Sequence, residues 1–221
     1  MSSSTSSSRN EWKVIAVALA AVMACEVAVR RAAPSLSKDM QHIREFPEIA
    51  RELHGSQRLE ILFLGNSLTG AGTDLDAFQS ELERSALHPA YGIVCPDNTT
   101  LSEWYYIFKN VFAVRQQAPD VAIVGFHNRQ MCDSEMIRTR KLGHDFCEFG
   151  DIAEIFEHDL TGFEERVTYL LSSFSAAYAY QDRIKHRTLD RIVPDFRFGM
   201  GKINEITRTK RKTRETRASR M

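Results

Sequence analysis

In the segment EILFLGNSLTGAG, residues 60–72, a serine stands on a glycine-flanked turn straight after an apolar run. Ser67 follows Leu64 by three residues, with Gly65, Gly70 and Gly72 around it. Open α/β sheets bind their ligands beyond the carboxyl ends of the strands. Glycines there permit tight turns and close approach of a substrate. Backbone N–H groups around Ser67 would then face a developing oxyanion, the arrangement a serine nucleophile needs. The same residue types also make an ordinary strand-to-helix turn. A second constellation, PDVAIVGFHNRQ, is an apolar run that ends in Gly125-Phe126-His127-Asn128. A side-chain amide at Asn128 can donate to an oxyanion, with His127 as a titratable neighbour. Equally, Asn128 can cap the segment that follows. A third stretch, CPDNTTLSEW, places Asp97, Asn98 and Thr99 at the same kind of edge, as turn and cap residues or as further donors.

These residues need strands to carry them. Ile61–Leu64, Tyr91–Cys95 and Val121–Phe126 are short apolar runs with little alternation, which predicts parallel strands covered on both faces. Helical patterns separate them. Thr73 with Asp76 caps a segment whose face is Leu75, Phe78 and Leu82. Thr100 with Glu103 is a clearer capping box, followed by the stripe Leu101, Trp104, Tyr105, Phe108, Val111 and Phe112. The order β-α-β-α-β implies a parallel sheet with right-handed crossovers. Strand signals then stop, so the third strand is an edge, either bare or covered by the helices expected over residues 150–193. There, Thr161 and Glu164 cap a segment with the apolar face Phe163, Val167, Leu170, Leu171 and Phe174. The stretch SAAYAYQDRIKHRTLDRIV gives a second helix that ends before Pro194.

The ends of the chain differ in kind. Residues 1–11 are Ser-rich and predicted disordered. Val14–Cys25 is twelve apolar residues without a break, inside a segment 12–31 that opens on Trp12-Lys13 and closes on Arg30-Arg31. This is a transmembrane anchor or a signal segment, short against the roughly 20 residues that span a bilayer. Residues 32–57 are expected to be a polar linker with one amphipathic segment, in which Pro47 interrupts any helix. The globular part is expected from Arg58 to residue 196. Residues 197–221 form a basic tail, with eight Lys/Arg and two Glu from Lys202 onward, predicted disordered. The formal net charge is zero and no aromatic residue interleaves the basic run from Lys202 onward, so the chain does not point to nucleic acid. Cys25, Cys95, Cys132 and Cys147 make no CxxC pair and no zinc-like spacing with His; Cys132 and Cys147 would pair only in an oxidising compartment. No metal or cofactor is expected.

Two of the motifs together resemble a known family. LFLGNSLT is similar to the first motif of the SGNH/GDSL hydrolases, with Asn66 in place of the usual Asp. PDVAIVGFHN is similar to their third motif, and Asn128 falls 61 residues after Ser67. The resemblance covers roughly residues 58–130. It implies a flavodoxin-like three-layer parallel sheet over residues 58–196, incomplete at about three strands. It implies Ser67 as nucleophile, the Ser67 N–H and Asn128 as oxyanion donors, and Gly65, Asn66, Asn98 and His127 as neighbours. With the hydrophobic segment, the chain resembles the membrane-anchored members of bacterial envelopes, some of which move acyl groups on polysaccharides. The implied protein is single-pass through residues 12–31, with its globular part extracytoplasmic. It would be a serine esterase if water accepts the acyl group and an O-acyltransferase if a sugar hydroxyl does. The chain departs from the family at three places. Pro96-Asp97-Asn98 stands where the second motif carries Gly. Phe126-His127 separates Gly125 from Asn128, and Arg129 replaces the Asp that follows. The family's C-terminal D-x-x-H has no counterpart after Ser67, so the domain is expected to be truncated before it. Asp39-Met40-Gln41-His42 matches the pattern, but within the linker. Asp182 and His186 are spaced i,i+4 on what reads as a solvated basic helix. The rival expectation is a truncated or degenerate SGNH-like protein without catalysis, or a binding module.

Overall fold

The computed structural model describes residues 7–84, 88–126 and 137–192. The chain divides into two units, Met1–Tyr180 and Gln181–Met221. In the first, α1 (Ser7–Leu36) and α2 (Lys38–His54) precede β1 (Glu60–Leu64), α3 (Ser67–Gly72), α4 (Leu75–Arg84) and β2 (Ala90–Val94). Then come α5 (Leu101–Ile107), which runs on as a π-helical segment to Ala113, and β3 (Val121–Val124). The remainder is helical: α6 (Thr139–Lys141) with a π-helical continuation Leu142–Phe146, α7 (Ile152–His158), α8 (Phe163–Phe174) and α9 (Ala176–Ala179). The described part of the second unit is α10 (Gln181–Ile192). The molecule is therefore an α/β protein, mostly helical, with a small parallel sheet and a long apolar N-terminal helix.

The sheet order is β2-β1-β3, all parallel, with Leu62 opposite Gly92 on one side and Ala122 on the other. All five residues of β1 are buried. Side chains alternate across a strand. Leu62 and Leu64 accordingly join a core with Phe46, Ala50 and Leu53 of α2 and Trp104, Tyr106 and Ile107 of α5. Phe63 points the other way and meets Phe78 of α4 edge to face at 4.8 Å, with Tyr91 beyond. Helices thus cover both faces of the central strand. The expected cover fails at β3, where every residue is exposed. The helices after it pack on α5, on α1 and on one another, so among the described residues β3 is a bare edge.

Residues 38–54 correct the expected linker. Ser37 caps α2 by accepting from the Met40 N–H at 3.2 Å, and the helix continues straight through Pro47. A proline inside a helix costs about 3 kcal/mol. Burial of Phe46 and Leu53, at roughly 1.5–3 kcal/mol for each large side chain, offsets it. Gly92 lets α2 come close, since a Cβ there would lie 2.8 Å from Ile49. The packed body therefore begins ahead of Arg58. The Ser-rich start is likewise helical from Ser7.

Caps and faces follow the sequence in part. The Thr100–Glu103 box is formed, but α4 is capped by Asp74, which accepts from the Ala77 N–H at 2.9 Å, and Thr73 instead bonds back to Thr69. Glu165 rather than Glu164 closes the start of α8, accepting from the Gly162 N–H. In the stripe after Thr100, Leu101 and Tyr105 face out, and Tyr106 and Ile107 take the core. On α8, Phe163, Val167, Leu171 and Phe174 of the expected face are turned outward and Leu170 packs on the core, while Tyr169 and Ser172 are buried.

Candidate functional site

Two glycines bring the strand ends together. The Gly65 N–H donates to Val94 and the Gly125 N–H to Leu64, so the ladder runs one residue past β1 on each side. Asn66 then leaves the strand in an extended conformation and caps α3, its Oδ1 accepting from the Leu68 N–H at 2.9 Å. Ser67 is the first residue of that helix and is exposed; Asn66 is buried. Thr69, one turn on, reaches back and donates to the Gly125 carbonyl at 2.8 Å. This close pass fixes both glycine positions. A Cβ on Gly65 would sit 2.3 Å from Thr69 Oγ1, and one on Gly125 would sit 2.2 Å from Thr69 Cγ2. Ser67 and the end of β3 are thus joined through Thr69, the last residue of LFLGNSLT, to which the motif reading gave no role. His127 and Asn128 follow Gly125 within three positions but lie outside the described residues.

The loop after β2 closes the other side. Gly70 packs on Cys95, whose thiol burial pushes up to about 11, so it stays protonated near neutral pH. Asn98 adopts a left-handed conformation, φ 55°, and accepts from the Arg138 guanidinium at 3.1 Å. Thr99 accepts from the Trp104 indole and donates to the Pro96 carbonyl, both at 2.9 Å. Glu103 is fully buried beneath. Burial raises its pKa, against the Thr100 and Arg138 N–H groups that donate to it.

The structure also carries the Asp39–His42 pair to this edge, which the linker reading did not anticipate. His42 Nε2 accepts from the Cys95 N–H at 3.3 Å, and the buried Asp39 accepts from the Asp97 N–H at 2.7 Å. Lys141 joins them, 2.9 Å from Asp39 and 2.7 Å from the Asp97 carbonyl. The D-x-x-H spacing marked the pair in the sequence, and its place in an expected linker set it aside. Of the other described histidines, His54 faces Glu60 at the amino end of β1 and His88 precedes β2. Asp182 and His186 lie on α10, in the second unit. Cys132 lies outside the described residues, and burial pushes the Cys147 thiol well up. Among the described residues no cluster of three or more His, Cys, Asp or Glu is placed to hold a metal ion. A cleft lined by Arg58, Gln79, His88 and Tyr91 opens at the amino end of β2, the opposite edge from Ser67.

At the other extreme of the unit, the residues from Glu11 to Leu36 make one helix long and apolar enough to cross a membrane. No family model, no curated protein and no solved structure matches the chain.

Proposed function

We propose that this chain is a membrane-anchored, SGNH-like protein of the cell envelope whose Ser67 attacks an acyl ester. It acts as an esterase when water takes the acyl group and as an O-acyltransferase when a polysaccharide hydroxyl does. The order β2-β1-β3 supports this reading, since a flavodoxin-like sheet places three of its strands in that order; α1 would be the single-pass anchor, with the globular part extracytoplasmic. The observation that carries this reading is Ser67 itself. It is exposed on the first turn of α3, directly past the carboxyl end of the central strand and fastened to the end of β3 through Thr69. Its hydroxyl oxygen would bond to the ester carbonyl carbon, a base would take its proton, and the alkoxy group would leave with a proton. The oxyanion would rest on the Ser67 N–H and the Asn128 amide.

A second reading, a non-catalytic binding module on a membrane tether, has its own support. His42 spends Nε2 on the Cys95 N–H, and that nitrogen cannot accept a serine proton while so engaged. A fluorophosphonate probe separates the two. Covalent labelling of the native chain that disappears in Ser67→Ala is the result expected of the enzyme. Equal labelling of the two proteins, or none of either, overturns it in favour of the binding module.

A further inference from the structure

The outward face of α8 stands apart from everything assigned above. Phe163, Val167, Leu171 and Phe174 recur at i, i+4, i+8 and i+11 and share one side of the helix. They are 83%, 36%, 48% and 65% exposed. Eleven steps of 1.5 Å make this stripe about 16 Å long, with a phenylalanine at each end. The opposite side of α8 is already committed to the core through Tyr169.

What lies next to the stripe decides its occupant. Its C-terminal end is fastened to α1. Arg30 donates to the Phe174 carbonyl at 3.0 Å, and Glu26 accepts from the Ala176 N–H at 2.7 Å, the Ser175 hydroxyl at 3.0 Å and the Ala177 N–H at 3.2 Å. Glu26 and Arg30 are themselves paired at 2.7 Å. These contacts fall where the unbroken apolar run of α1 stops, at Cys25. From Trp12 to Glu26 the helix rises only about 21 Å, less than the ~30 Å hydrocarbon core of a bilayer. The helix itself runs on to Leu36, but a bilayer that settles on this less polar stretch, by thinning locally, holds the Glu26–Arg30 turn at its boundary. The Phe174 end of the stripe is pinned to the same turn, so the stripe starts at that boundary.

We propose that the exposed face of α8 is a second membrane contact, seated in the boundary between lipid headgroups and acyl chains beside α1. Helices with one apolar, aromatic-bearing face lie in this layer at a depth of about 5–10 Å. The polar side of α8 opens with Glu164 and Glu165, so its attraction is for the apolar layer and not for anionic headgroups. A zwitterionic bilayer suffices. The contact fixes how the domain stands on its anchor, because α8 and α1 then make two attachments where a lone helix makes one.

This inference rests on α1 spanning the bilayer, and the test keeps the two apart. The full chain is reconstituted in phosphatidylcholine vesicles with a photoreactive phenylalanine in place of Leu19, Glu157, Phe163 or Leu171, one at a time. Positions 163 and 171 are expected to yield lipid adducts at least about fivefold more than the exposed, polar position 157, and position 19 to label lipid as well. Lipid adducts at 19 without them at 163 and 171 overturn the α8 contact and leave the anchor standing. Adducts of twice the chain mass from 163 or 171 assign the face to a second copy and also overturn it. Absence of lipid adducts at 19 removes the anchor, and the proposal with it.

Discussion

Thr69 touches both glycines that end the strands, and that makes the Ser67 turn a coupled unit. At Gly125 an added methyl meets Thr69 Cγ2 at 2.2 Å, far inside contact distance. Overpacking of this kind typically costs 1–3 kcal/mol. Gly125→Ala is expected to lower the unfolding free energy by about that amount in urea titration, and adding Thr69→Ala to recover part of it. Simple additivity of the two would show that Thr69 does not set the glycine requirement. The strand-to-helix turn at Gly65-Asn66-Ser67 was legible because an apolar run and its flanking glycines are local signals, whereas the cap that Asn66 makes came only from the structure. Thr69 was not legible, since its role depends on a carbonyl 56 residues away. Asp39 and His42 were visible as a pattern and misplaced in space. Their position depends on where α2 packs, which spacing along the chain does not encode.

Pro47 is the reason α2 was read as a linker, and it is the element's weak point. It sits ten residues into a helix whose apolar side is buried against the sheet. Pro47→Ala restores a backbone donor to the helix interior and is expected to stabilise the protein by about 1–3 kcal/mol, seen as a higher denaturation midpoint at unchanged slope. A loss of stability would mean that packing of the proline ring contributes more than the missing backbone donor costs. The three strands were legible to within two residues, because a short continuous apolar run bounded by turn residues has few alternatives. Which faces are covered was less so. Of the face that periodicity marked on α8, Leu170 packs on the core and the other four residues face out, and the core was filled mainly by Tyr169, which the pattern did not include. The exposure of β3 has the same origin: the pattern marks a strand and is silent on its neighbours.

At the scale of the whole first unit, the Glu26–α9 junction ties the longest helix to the last one. One carboxylate satisfies two backbone N–H groups at the start of α9, together with Ser175 and Arg30. Hydrogen bonds to a charged group contribute about 1.5–3 kcal/mol, so Glu26→Ala is expected to speed hydrogen exchange at Ala176 and Ala177 by roughly tenfold or more. Unchanged protection of those two amides would show that α9 is held by packing alone. The junction also imposes an order on synthesis. Ala176 is made 150 residues after Glu26, which at ribosomal speed is a delay of about 8–30 s. Throughout that interval the carboxylate lacks its α9 partners. The corner between α1 and α9 closes only when the chain returns to its own first helix.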